Sequence, residues 1–180
     1  MRVSRRGFLV GAVASPLLAS GDRRAARYEV VDLGCVLPES MAGFQAQVGD
    51  LRPHVVVVPA VRALTGADSA MLEQWLKRGA VVLLEWVAGA RVEQGAYFPY
   101  VDYHWPMQAK IREFAPTKLT PAPEDEIIAT FLGHPVGLRR KVGDGTLVTL
   151  GSPLGPLFLS GDADGARWFD ALKSLSVAPR

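Results

Sequence analysis

The 180-residue chain has one cysteine, Cys35, and three histidines, His54, His104 and His134. A single cysteine excludes an intramolecular disulfide and a cysteine-rich metal centre. Asp102 and His104 supply two potential ligands at alternating spacing with no third nearby, so no metal site is expected. Nothing in the chain calls for a cofactor. Long apolar runs are also missing: Phe8 to Leu18 is too short for an ordinary transmembrane helix. The formal net charge is only +2, with 20 basic against 18 acidic residues. Arg2, Arg5 and Arg6 provide that excess, so the remainder is slightly acidic and carries no basic footprint for nucleic acid. There is no internal repeat and no low-complexity tract. The length suits one domain with a real core.

The first residues read as an address and not as fold. Ser4-Arg5-Arg6-Gly7-Phe8-Leu9 resembles the twin-arginine export motif, with Arg5, Arg6, Phe8 and Leu9 as its signature. A short apolar stretch follows, then Ala19-Ser20-Gly21 as small residues for cleavage. The expected organisation is a signal peptide over 1–21, a linker over 22–27 and one domain over 28–178. The expected location is the periplasm or another extracytoplasmic space. Membrane contact is expected only through the signal or an uncleaved anchor.

The domain is organised around His54 to Val87. Val55 to Val58 are four consecutive valines, followed by Pro59. Such a β-branched run suits a parallel strand covered on both faces. Thr65 and Asp68 have capping-box spacing, Lys77 and Arg78 close a helix, and Gly79 suits its C′ position. Leu72, Trp75 and Leu76 make its inward stripe. Ala80 to Val87 then reads as a second strand. Tyr28 to Leu33 reads as a first strand and Pro38 to Val48 as a helix. Ala88 to Pro106 reads as a long irregular segment rich in aromatics: Tyr97, Phe98, Tyr100, Tyr103 and Trp105. Lys110 to Phe114 reads as a short strand. Ile127–Phe131, Val136–Val142 and Thr146–Leu150 read as strands, the last two joined by a three-residue turn, Gly143-Asp144-Gly145. Gly151 to Pro156 reads as a turn cluster and Asp162 to Leu175 as the last helix. These elements predict an α/β domain: an open, mostly parallel, flavodoxin-like sheet with helices on both faces and a C-terminal β-hairpin unit.

The order of features resembles a shortened member of the class I glutamine-amidotransferase-like superfamily. The likeness rests on the strand ending at Pro59 with its helix and Arg78-Gly79-Ala80-Val-Val-Leu-Leu, on Pro135 to Ser152, and on the closing helix. An active member carries a nucleophilic cysteine on the turn after the strand matching Val81–Val87, and a late His-x-Glu pair. Here that turn reads Glu85-Trp-Val-Ala-Gly89, and His134 is followed by Pro135 and Val136. The resemblance therefore implies a non-catalytic domain without glutaminase activity.

Ligands of open α/β sheets bind beyond the C-terminal strand ends. Asp32, Gly34, Cys35, Pro59, Glu85, Trp86 and Ser152 are expected there. Glu85 is the only charge in its strand, and a buried carboxylate must be neutral, paired or at the solvent edge. It is expected to meet a donor from 97–105 or from Arg139–Arg140. Cys35 is a nucleophile if His104 lowers its pKa, and otherwise a small apolar filler. Tyr100, Asp102, Tyr103 and His104 put aromatic faces beside polar groups, which suits a sugar; as a plain alternative the segment merely covers the sheet edge. Arg139-Arg140-Lys141 reads as a solvated hairpin face or an anion patch. The leading functional expectation is an exported, non-catalytic amidotransferase-like domain that binds or scaffolds. Its partner would be a small molecule such as a carbohydrate, or a protein. The rival expectation is a periplasmic hydrolase of unknown substrate using Cys35 or Glu85 with His104.

Overall fold

The computed structural model describes residues 28–46, 55–88, 99–113 and 116–175. The twin-arginine motif, the 22–27 linker, His54, and Tyr97 and Phe98 lie outside the described residues. The elements in chain order are β1 (Tyr28–Val30), α1 (Pro38–Ala46), β2 (Val55–Val61), α2 (Gly66–Lys77), β3 (Val81–Trp86), β4 (Tyr100–Tyr103), β5 (Ala109–Arg112), β6 (Glu126–Phe131), β7 (His134–Val142), β8 (Gly145–Leu150), α3 (Gly155–Leu159) and α4 (Ala163–Leu175).

All eight strands form one sheet, in the order β1-β2-β3-β8-β7-β6-β4-β5. The pairs β1–β2, β2–β3 and β3–β8 are parallel. The pairs β8–β7, β7–β6, β6–β4 and β4–β5 are antiparallel. This corrects the expected open, mostly parallel, flavodoxin-like sheet: the sheet is mixed, and only part of it is parallel. The physical reason lies in the connections. Two-residue turns join β6 to β7 and β7 to β8, and such turns can link only antiparallel neighbours. The stretch expected to be irregular, 88–106, contributes β4, which extends the antiparallel half.

The helices do not cover both faces along the sheet, as a flavodoxin-like layout requires. Phe44 of α1, Phe158 of α3 and Trp168, Phe169 and Leu172 of α4 share one core with Val57, Leu83, Val148, Val101, Tyr103 and Ile111. That face therefore runs under both halves. Among the described residues the opposite face has α2 as its one helix: Leu72 and Leu76 pack on Val56, Val58, Val82 and Leu84. This second cluster includes no residue of β4, β5 or β6.

Local sequence explains the ends. Thr65 caps α2, with Asp68 N donating to Thr65 Oγ1 at 3.2 Å and Thr65 N donating to Asp68 Oδ2 at 2.8 Å. Asp162 accepts from Gly165 N at 2.7 Å at the start of α4. The β7–β8 hairpin has a two-residue turn, Gly143-Asp144, because Gly145 already pairs with Val142. Gly145 is needed for another reason. A Cβ there would sit 2.4 Å from the Leu76 carbonyl oxygen and 2.7 Å from that of Ala80, so α2 could not close on β8.

Candidate functional site

Glu85 lies next to the end of β3 and is fully buried. One oxygen accepts from Ser40 Oγ and from Ala60 N at 3.0 Å. The other accepts from Leu154 N at 2.5 Å and Gly155 N at 3.4 Å. One carboxylate thus ties α1, the end of β2 and the start of α3 to the sheet. Burial pushes its pKa up to about 7, against the pull of those four donors. Ala60 is held at φ +41, the left-handed region that favours glycine. Its N–H goes to Glu85 and its carbonyl accepts from Val36 N at 2.9 Å.

The expected donors for Glu85 are elsewhere, which corrects that assignment. Arg139 Nε donates to Glu126 at 2.6 Å, and its guanidinium lies 4.6 Å from the Trp105 ring centre. Arg140 forms a fork to Asp125 at 2.8 and 3.0 Å. Both arginines are used within the β6–β7 hairpin and its approach, where the partners are close in space and chain.

A second buried carboxyl sits beside the first and was not singled out from sequence. Glu113, just after β5, accepts from the Tyr103 hydroxyl and from Ser152. Burial pushes it up to about 8, with the charge of Glu85 adding to the rise. Tyr103 is pushed well above the ordinary phenol range by burial and by Glu113. The signal for Glu113 was present: it continues the inward alternation of Ala109 and Ile111.

The remaining candidates separate into three places. Cys35 is half-buried, and its Sγ donates to the Leu37 carbonyl at 3.1 Å. Burial raises its pKa, opposite to the direction that makes a nucleophile. Asp32 accepts from Gly34 N and Cys35 N, both at 2.9 Å, and so shapes its own turn. Trp86 packs toward the α2 side. Ser152 and Tyr103 belong to the buried cluster. His104 is exposed, and its backbone N–H donates to Ile128 O at 2.8 Å. Among the described residues no hydrogen bond joins Cys35, Glu85 and His104 side chains. Among the described residues no group of three His, Cys, Asp or Glu comes together as a metal cage.

Tyr100 and Asp102 form the third place, on the outer face of β4 and β5. Tyr100 pairs in register with Arg112, and Asp102 with Lys110. Arg112 Nε donates to the Tyr100 hydroxyl at 2.8 Å, with its guanidinium 5.0 Å from the ring centre. Lys110 Nζ is 3.4 Å from Asp102. Tyr100 remains 49% exposed.

No family model and no curated protein matches the sequence. Solved structures of glycosidases match the fold. An exo-β-1,4-mannosidase from Opitutaceae bacterium strain TAV5 aligns over 83% of this chain at 14% identity and TM-score 0.56. A β-galactosidase from Rahnella sp. R3 aligns over 86% of the chain at 10% identity and TM-score 0.54. A β-galactosidase from Bacillus circulans sp. alkalophilus aligns over 79% at 13% identity and TM-score 0.50. The aligned region makes up 36%, 32% and 31% of those enzymes, so the chain spans about a third of their length. At these identities the likeness is one of fold. These matches overturn the resemblance to the class I glutamine-amidotransferase-like superfamily, together with the amidotransferase-like scaffold built on it. That resemblance rested on a strand–helix–strand order, a hairpin and a closing helix, features that many mixed α/β sheets share.

Proposed function

We propose that this domain binds carbohydrate through the outer face of β4 and β5 and works beside a glycoside-hydrolysing domain. The single observation that carries the reading is Tyr100. It is an exposed aromatic ring held by Arg112 and flanked on the same face by Asp102 and Lys110. A sugar offers a ring face to stack on an aromatic and hydroxyls to pair with charged groups, and this face supplies both. The glycosidase matches support a carbohydrate as the ligand class. The hydrolase alternative is nearer to those matches than an amidotransferase-like scaffold. Its residues argue against it: Glu85 has both oxygens engaged by backbone and serine, and the Cys35 thiol is raised.

The test is binding to soluble β-1,4-mannan and to galactan, followed by affinity electrophoresis and calorimetry. Tyr100→Ala should weaken binding about tenfold with an unchanged melting temperature. Parent protein that binds neither glycan, or a Tyr100→Ala variant that binds as well as the parent, refutes the reading. An extracytoplasmic location is part of the proposal, motivated by Arg5 and Arg6 before Phe8-Leu9. Changing both arginines to lysine should retain the protein in the cytoplasm on cell fractionation.

A further inference from the structure

Ser152, Leu154 and Gly155 lie on the short segment that carries the chain from β8 into α3. The Ser152 side chain bonds to Glu113, whereas the backbone N–H groups of Leu154 and Gly155 bond to Glu85. Two buried carboxyls therefore hold one segment from its two ends. Glu85 belongs to the parallel half and Glu113 to the antiparallel half, so the same segment also couples the halves.

Among the described residues the groups that act on the pair are neutral or acidic. The 32–37 stretch contributes Cys35, and α1 contributes Ser40. From β2 comes the Ala60 N–H, and from β4 the Tyr103 hydroxyl, whose ring packs 4.8 Å from that of Trp168 in α4. Among the described residues no lysine, arginine or histidine acts on either carboxyl. Two unscreened negative charges in one dry cluster are costly, whereas one proton placed there removes the conflict and keeps the hydrogen bonds. Glu113 is the better proton site, because two hydroxyls serve it where Glu85 has four donors.

We propose that Glu85 and Glu113 act as a proton-holding pair that clamps the Ser152–Gly155 segment, so the junction between the sheet halves is tight in acid and loosens in base. The inference is independent of the carbohydrate reading. Its direction follows from linkage. Both folded carboxyls hold their protons to higher pH than the unfolded chain does, near 4.5. The folded state thus binds more protons, and rising pH favours unfolding. The stabilisation is complete below about pH 4.5 and is lost as pH rises through about 7 and 8.

Thermal melting of the full chain from pH 5 to pH 9 tests this. The parent melting temperature should fall by about 5 °C or more across that range. Glu113→Gln keeps the shape but cannot ionise, and it should remove roughly half of the fall. Tyr103→Phe removes a donor that favours the charged form, so it should move the fall to higher pH. This second variant carries the test if Glu113→Gln does not fold. A parent whose melting is flat from pH 5 to pH 9 overturns the proposal. So does an unchanged fall in the folded variants.

Discussion

The two halves of the sheet are specified by different physics. In the parallel half every residue of β2 is buried, and β3 is buried up to Trp86. Its strands are selected by volume, because an apolar chain enclosed on both faces must be filled by β-branched and branched residues. Among the described residues, the antiparallel half packs α3 and α4 on one face, and on the other only the end of β7, at Val142, reaches the α2 cluster. Its outer strands β4 and β5 alternate between buried and more exposed residues, so a slip of one residue there would turn their apolar set outward. Register there depends on devices: the Leu132-Gly133 and Gly143-Asp144 turns, and the ion pairs Arg139–Glu126, Arg140–Asp125 and Lys110–Asp102. A continuous apolar run announces a strand but leaves its partner's direction open, whereas a tight turn fixes the direction.

The contrast can be broken most forcefully at Trp168, which seats the antiparallel half on α4. Its ring packs on Tyr103, and its Nε1 donates to Trp105 O at 2.9 Å. Trp168→Ala should cost about 3–5 kcal/mol by urea unfolding. Amide exchange should rise in β4 and β5 while β2 stays protected; equal loosening of both halves would erase the distinction. Leu76→Ala should cost about 2–4 kcal/mol with the opposite exchange pattern, because Leu76 packs only in the α2 cluster. Thr65→Ala should cost about 1 kcal/mol in the same unfolding measurement, through the lost capping box. The smallest effect is expected at Leu132, 82% exposed at φ +48 in a two-residue turn. Asparagine tolerates that conformation better, so Leu132→Asn should stabilise by about 0.5 kcal/mol in thermal melting.

The legible parts of the sequence were those with strong local patterns. The valine run, the Thr65–Asp68 box and the strands around Gly143 stand within a few residues of their expected positions. Two elements were hidden. β4 has four residues with Asp102 among them, too short for alternation to stand out. α3 has five residues inside a glycine- and proline-rich stretch that reads as turns. The site was half legible. The position of Glu85 beside a strand end was visible, but its partners Ser40, Ala60 and Leu154 lie 45, 25 and 69 residues away. Arg139 and Arg140, the arginines expected to meet it, satisfy Glu126 and Asp125 in and just before their own hairpin. Glu113 could have been found by extending the Ala109–Ile111 alternation one step.

An unclosed sheet has two margins at which another chain could add itself as a further strand. Here the first margin, β1, has three residues among those described. The other, β5, is four residues long and places Lys110 and Arg112 alternately along its outer side, with the Lys110 side chain 76% exposed. A second molecule approaching in parallel register would bring like cations together across a gap of about 5 Å. So short a ladder offers few hydrogen bonds to offset that repulsion. At this margin the side chains of β5 therefore oppose in-register parallel addition of a second copy.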